Sequence, residues 1–193
     1  MVNEPEKVNQ AQKIISAAFK CISVKGYANV SLRDIADEAG VVLSQLNYYY
    51  KNKEGLFTEI IKRMAQQYLS EVEEILKKGQ SEKERISSLI EYFQRLLRKN
   101  PELFKLLFDL TSMALWSASL KELLNDFFNK VANLIEKYII SEFSVKEKFK
   151  YSSPVTLSRM MLGALFGTSI QVMLADEKED MIYSLSTMKV LFE

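Results

Sequence analysis

Residues 31–53 read Ser31-Leu32-Arg33-Asp34-Ile35-Ala36-Asp37-Glu38-Ala39-Gly40-Val41-Val42-Leu43-Ser44-Gln45-Leu46-Asn47-Tyr48-Tyr49-Tyr50-Lys51-Asn52-Lys53. Ser31 with an acid three positions on, Asp34, is a capping box and opens a helix. The spacing of Leu32, Ile35, Ala36 and Ala39 gives that helix an inward face, and Gly40 stops it. A second short segment runs from Leu43 to about Tyr50. Two short helices joined by Ala39-Gly40-Val41 predict a helix-turn-helix, which seats its second helix in the DNA major groove. A small residue and a glycine let the helices approach, while Ile35, Val41 and Leu46 lock their angle. The outward face of the second helix must carry hydrogen-bonding side chains and no acid. From Gly40 through Lys53 there is no Asp or Glu, and the stretch offers Ser44, Gln45, Asn47, Tyr48, Tyr49, Tyr50, Lys51, Asn52 and Lys53. The competing reading is a plain three-helix subdomain with tyrosines packed at a junction.

Outward from this segment the periodicity stays helical. Before it, Val8, Ala11, Ile15, Ala18, Phe19 and Ile22 form one stripe that Lys25-Gly26 ends. After it, Asn52 caps a long helix carrying Leu56, Phe57, Ile60, Ile61, Met64, Tyr68, Val72, Ile75 and Leu76. Ser81 with Glu84 is a second capping box and opens a helix to about Arg98. Asn100-Pro101 restarts the chain, and Leu103 to Trp116 is apolar on nearly every side, which predicts a buried helix. Leu120 to Tyr138 makes the next. Ser153-Pro154 opens another, and Asp180 to Phe192 supplies the last. The fold class is all-α, about nine helices, with a three-helix domain at 1–53 and a larger helical domain at 54–193.

Composition agrees and excludes much. The 193 residues are 48% hydrophobic and 26% charged, with 6 Gly and 3 Pro, an ordinary globular balance with few helix breakers. There is no histidine, which removes Ser-His-Asp and Cys-His catalysis and His-ligated metal sites. No C-x-x-C and no Gly-rich phosphate loop occurs, so no enzyme activity, metal or cofactor is predicted. The single cysteine, Cys21, permits no internal disulfide and suits a reducing cytoplasm; it reads as a small core residue, with a redox switch as the alternative. Met160 to Ala175 is an uncharged, mainly apolar run, short for a membrane span, so no membrane partner is predicted. Residues 1–53 hold seven Lys/Arg against five Asp/Glu, a weak excess of +2.

Ile14-Ile15-Ser16-Ala17-Ala18-Phe19, then Gly26-Tyr27, Val30-Ser31-Leu32-Arg33-Asp34-Ile35-Ala36, Ala39-Gly40-Val41 and Leu46-Asn47-Tyr48-Tyr49-Tyr50-Lys51-Asn52-Lys53-Glu54-Gly55-Leu56 form one ordered series. It resembles the DNA-binding domain of the TetR family of repressors, closely over about a quarter of the chain. The resemblance implies a cytoplasmic homodimer that binds a palindromic double-stranded operator and is released by a small-molecule effector. It implies that Ser31 meets a phosphate, Arg33 faces groove or backbone, and Leu43, Ser44 and Gln45 reach base edges. Asn47, Tyr48 and Tyr49 then hold bases and phosphates, and Lys53 takes a phosphate. Three positions depart from the family's pattern. Val42 stands where serine is usual, Ser44 where a glycine-like residue is usual, and Asn47 where tyrosine is usual. Val42 cannot cap through its side chain, so either Ser44 caps a turn later or packing holds the helix start.

In the larger domain aromatic residues at helical spacing form core or pocket; with the family's effector cavity in view, Phe104, Phe108, Trp116, Phe128 and Phe166 are the candidate lining. Asp109 is either a carboxylate for a cationic ligand or, as we prefer, part of a polar stripe paired with Lys105 one turn away. The stripe implies a neutral, hydrophobic or lipid-like effector. Gly163 and Gly167, four apart on an uncharged helix, permit close helix approach, and the family pairs its last helices across a dimer. Arg159 on that helix either pairs with an acid across the interface or extends outward. The alternative function class is a DNA-binding structural or division-control protein of this fold without an effector.

Overall fold

The computed structural model describes residues 4–141 and 152–192, with side chains from residue 10 to 141 and 152 to 190. Val8, placed on the first apolar stripe, has its side chain outside the described residues. Among the described residues nine helical segments follow one another: α1 Glu4–Lys25, α2 Leu32–Ala39, α3 Leu43–Tyr49, α4 Lys53–Lys78, α5 Glu82–Lys99, α6 Pro101–Ala114, α7 Ala118–Ile135, α8 Pro154–Leu174 and α9, which opens at Lys178–Ser184. α7 runs on through a π turn, Glu136–Ile140, and α9 through a 3-10 turn, Leu185–Thr187, to Met188–Phe192. No strand occurs among the described residues.

The local signals act where the sequence puts them. Ser31 Oγ accepts the Asp34 N–H at 3.1 Å while Asp34 Oδ2 accepts the Ser31 N–H at 2.8 Å, so both halves of the box form. At α5 only the forward half forms in its usual place. Ser81 Oγ accepts the Glu84 N–H at 3.2 Å, but Glu84 reaches one residue further back, to the Gln80 N–H at 2.9 Å. Asn52 Oδ1 accepts the Gly55 N–H at 2.7 Å and caps α4. Gly26 and Gly40 end α1 and α2 with φ of 76° and 65°, the left-handed region that glycine enters without Cβ strain.

Two compact units emerge: residues 1–65 with 105–123, and residues 66–104 with 124–193. In the first, α2 packs on α1 and α3 on α2 around Ile14, Ala18, Ile22, Ile35, Ala36 and Leu46. Residues 105–123 bring the end of α6 and the start of α7 into this unit. In the second, α5 packs on the π turn, α8 and α9 around Ile90, Leu97, Ile135, Ile139, Met161, Leu165, Ile182 and Leu185. Gln94, buried on α5, donates through Nε2 to the Ile182 carbonyl at 2.9 Å and to Ser186 Oγ at 3.1 Å, satisfying a polar group that burial would otherwise penalise.

α6 departs from the uniformly buried helix expected. It ends at Ala114, and Leu115 and Trp116 stand on the following turn, 76% and 90% exposed. The turn closes as the N–H groups of Trp116 and Ser117 bond back to the Met113 carbonyl, which carries both side chains off the apolar face. α8 is 21 residues long, more than its uncharged run, because it takes in Pro154 to Arg159 at the cost of one charge. It is the one helix among the described residues with the length and composition to cross a membrane, yet only 33% of that stretch is buried in the chain.

Candidate nucleic-acid interface

α3 begins at Val42, whose extended backbone (φ −75°, ψ 147°) takes the cap position with no side-chain bond. Its start is therefore held by packing: Val42 O accepts the Gln45 and Leu46 N–H groups, and Leu46 is fully buried. Ser44 does not serve as the cap. It is exposed, with Asn47 and Tyr48 at i+3 and i+4, and these three form one outward stripe, while Lys51 is exposed just beyond the helix, past the extended Tyr50. Tyr48 is 72% exposed and stacks edge-on with Tyr49 at 5.4 Å. The stripe offers a hydroxyl, an amide and a phenol, and Lys51 beyond it an ammonium, with no acid, a donor-rich surface suited to phosphates and base edges. Ser31 and Arg33, at the head of α2, are also exposed.

Four of the predicted contact residues have partners or partial cover within the chain. Gln45 and Tyr49 lie one turn apart on the side of α3 that meets α1. Gln45 Nε2 donates to Gln10 Oε1 at 2.6 Å and the Tyr49 hydroxyl donates to the same oxygen at 3.2 Å. Leu43 is half-buried. Lys53 does not extend to solvent: its ammonium donates to the Tyr27 carbonyl and sits 4.1 Å from the centre of the Tyr27 ring. Burial holds the Lys53 amine below the usual lysine range. Ser31's hydroxyl donates to the Asp34 carboxylate. Those Ser31 bonds, with Lys25 at 3.0 Å, hold the Asp34 carboxyl well below the usual carboxylate range.

Gln10 was not singled out by sequence reasoning. The available signal was a polar residue four positions before Ile14 and eight before Ala18, both fully buried, and so on the inward stripe of α1. Tyr27 was the other omission. Its ring packs on Phe57 at 4.3 Å, its carbonyl takes Lys53, and its N–H donates to Asp109 Oδ2 at 3.0 Å. Asp109 thus has a backbone partner in the α1–α2 turn in place of the predicted Lys105 pair. Eight and ten residues beyond Asp109, the hydroxyls of Ser117 and Ser119 donate to Glu54 Oε1 at 3.3 Å and 2.8 Å. Residues 105–123 are therefore fastened to the reading domain at both the α1–α2 turn and the first turn of α4. Cys21 is buried, its Sγ 3.8 Å from the Asp34 carbonyl, and burial raises its pKa.

The candidate effector residues divide. Phe128 meets Phe166 edge-on at 5.5 Å and Phe127 at 5.7 Å, and Phe104 is buried against Phe93 at 5.4 Å. Phe108 is half-buried in the first unit, and Trp116 stands exposed on the α6–α7 turn. On α8, an added Cβ at Gly163 or Gly167 would meet nothing within 4 Å, so among the described residues no other helix packs closely against either glycine. Val155, Met160, Ile170 and Leu174 are exposed on the same helix. Arg159 donates through Nη2 to Asn129 Oδ1 at 3.0 Å, a partner on α7.

A three-helix head with a left-handed glycine turn and an acid-free outward helix face defines a helix-turn-helix DNA-binding protein. Residues 14–60 match the model for bacterial regulatory proteins of the tetR family. The chain is 26% identical over 180 residues to the fatty acid metabolism regulator protein of Bacillus subtilis, covering 92% of this chain and 90% of that one. Among solved structures it superposes with a TM-score of 0.76 on the transcriptional regulator FadR from Bacillus subtilis in complex with stearoyl-CoA, at 24% identity over 94% of this chain and 96% of that one. A TetR transcription regulator from Haloarcula marismortui gives 0.82 at 18% identity over 96% of each chain. Residues 14–60 thus carry the DNA-binding domain of the tetR family, and the whole chain is similar to transcriptional regulators of that family.

Proposed function

We propose that this regulator is a cytoplasmic homodimeric repressor that leaves a palindromic operator when a long-chain acyl compound binds its larger domain. The observation that carries the effector reading is the similarity to a fatty acid metabolism regulator over 92% of the chain, well beyond the DNA-binding head. Asp109 supports a neutral or acyl effector over a cationic one, because its carboxylate is already engaged by the Tyr27 N–H. Division of labour follows the helices: residues 1–53 read DNA, and 54–193 bind effector and dimerise. Of the predicted aromatic set, Phe104, Phe128 and Phe166 suit the effector site, whereas Trp116 does not.

The dimer reading rests on α8. Gly163 and Gly167 face open space in the single chain while their helix is too apolar to leave uncovered, so a second copy is the occupant that small residues would admit. Operator release by stearoyl-CoA, measured by fluorescence anisotropy with free coenzyme A and choline as controls, tests the effector. Release by stearoyl-CoA alone is the expected result. Release by choline that Asp109→Asn abolishes would overturn it. Whatever the ligand, it must bind the DNA-incompetent conformation more tightly, since equal affinity for both shifts nothing.

A further inference from the structure

We propose that Gln10 is a positioning residue for sequence reading, acting on DNA only through Gln45 and Tyr49. This rests on α3 being the reading helix. One side-chain oxygen on α1, Gln10 Oε1, accepts from two residues one turn apart on α3, Gln45 Nε2 at 2.6 Å and the Tyr49 hydroxyl at 3.2 Å. An acceptor shared by i and i+4 fixes the rotation of α3 about its own axis, because turning the helix lengthens both bonds together. α3 has seven residues and no side-chain cap, so this clamp adds to the packing of Leu46 and of α2 in seating it. The rotation decides where Ser44, Asn47 and Tyr48 point, and base readout by directional hydrogen bonds depends on that direction. Non-specific binding, which depends on phosphate charge, is insensitive to it.

The chemistry needed is an acceptor, not an amide. Gln10→Glu keeps two oxygens facing Gln45 and Tyr49, whereas Gln10→Leu keeps the bulk and removes both bonds. The test is the ratio of affinities, at one salt concentration, for a duplex selected by the wild-type protein from a random pool and for a scrambled duplex. Gln10→Leu lowers this ratio about tenfold with scrambled-duplex affinity unchanged. Gln10→Glu preserves the ratio while its added charge weakens both affinities together. The double variant Gln10→Leu/Gln45→Ala is no worse than Gln10→Leu alone, because both act through one clamp. Tyr49→Phe removes one of the two bonds and lowers the ratio by a smaller factor, which keeps the test open if Gln10→Leu does not fold. An unchanged ratio in the folded variants overturns the proposal, as does a Gln10→Glu ratio that falls as far as that of Gln10→Leu. So does Gln45→Ala losing preference at one base while Gln10→Leu loses none. A wild-type protein that enriches no duplex overturns both this and the reading of α3.

Discussion

Two lysines two positions apart have opposite fates. Lys51 is exposed in the turn just after α3, while Lys53 is folded back onto the Tyr27 carbonyl and ring. Lys51→Ala should weaken binding to every duplex alike and reduce the salt dependence by about one phosphate contact, read from the slope of log K against log salt. Lys53→Ala should instead destabilise the reading domain, seen as a lower Tm before any DNA is added. The difference was not legible in the residues themselves. Both lysines sit in one polar run, and what separates them is a carbonyl 26 residues away. Asp34 illustrates the legible kind, since its box is closed by Ser31 three residues off. Its folded pKa is depressed, so the stability it contributes is present above the unfolded carboxylate pKa of about 4 and is lost as pH falls below that. Acid titration followed by circular dichroism should show this loss, and Asp34→Asn should flatten it.

Helix starts and stops were written locally and came through as read: both capping serines, Asn52, Pro101, Gly26 and Gly40. Helix faces were not, where a distant partner decides them. Gln45 and Tyr49 turn towards α1 because of Gln10, and Asp109 takes the N–H of Tyr27, 82 residues earlier in the chain. Leu115 and Trp116 continue an apolar pattern past the residue at which the helix turns, so composition alone placed them inside. Because residues 105–123 are fastened to the reading domain, the Asp109 bond is a place where the proposed effector coupling can be tested. Asp109→Ala leaves a part-buried N–H without its acceptor, a cost of about 1–3 kcal/mol. Operator affinity without effector should fall modestly, and the concentration of stearoyl-CoA needed for release should shift. Anisotropy titrations across an effector series would check this, and an unchanged release midpoint would show that the bond carries no coupling.

At the scale of the whole molecule, α8 is the exposed apolar element that a monomer explains least. Gly167→Leu places a large side chain where a Cβ would meet nothing within 4 Å in the single chain. The chain should still fold, with helicity by circular dichroism unchanged, but sedimentation should show monomer, because overpacking at a close helix crossing costs about 1–3 kcal/mol or more in each protomer. The glycine spacing was legible in sequence, whereas the open space beside both glycines among the described residues was visible only in the structure. The most direct test of the account is selection of binding sites from a random duplex pool by the full-length protein. It should yield an imperfect palindrome whose half-sites are centred about 10 base pairs or a small multiple apart, as two α3 helices on one two-fold axis require. Enrichment of a single asymmetric site, or of no sequence at all, would contradict it.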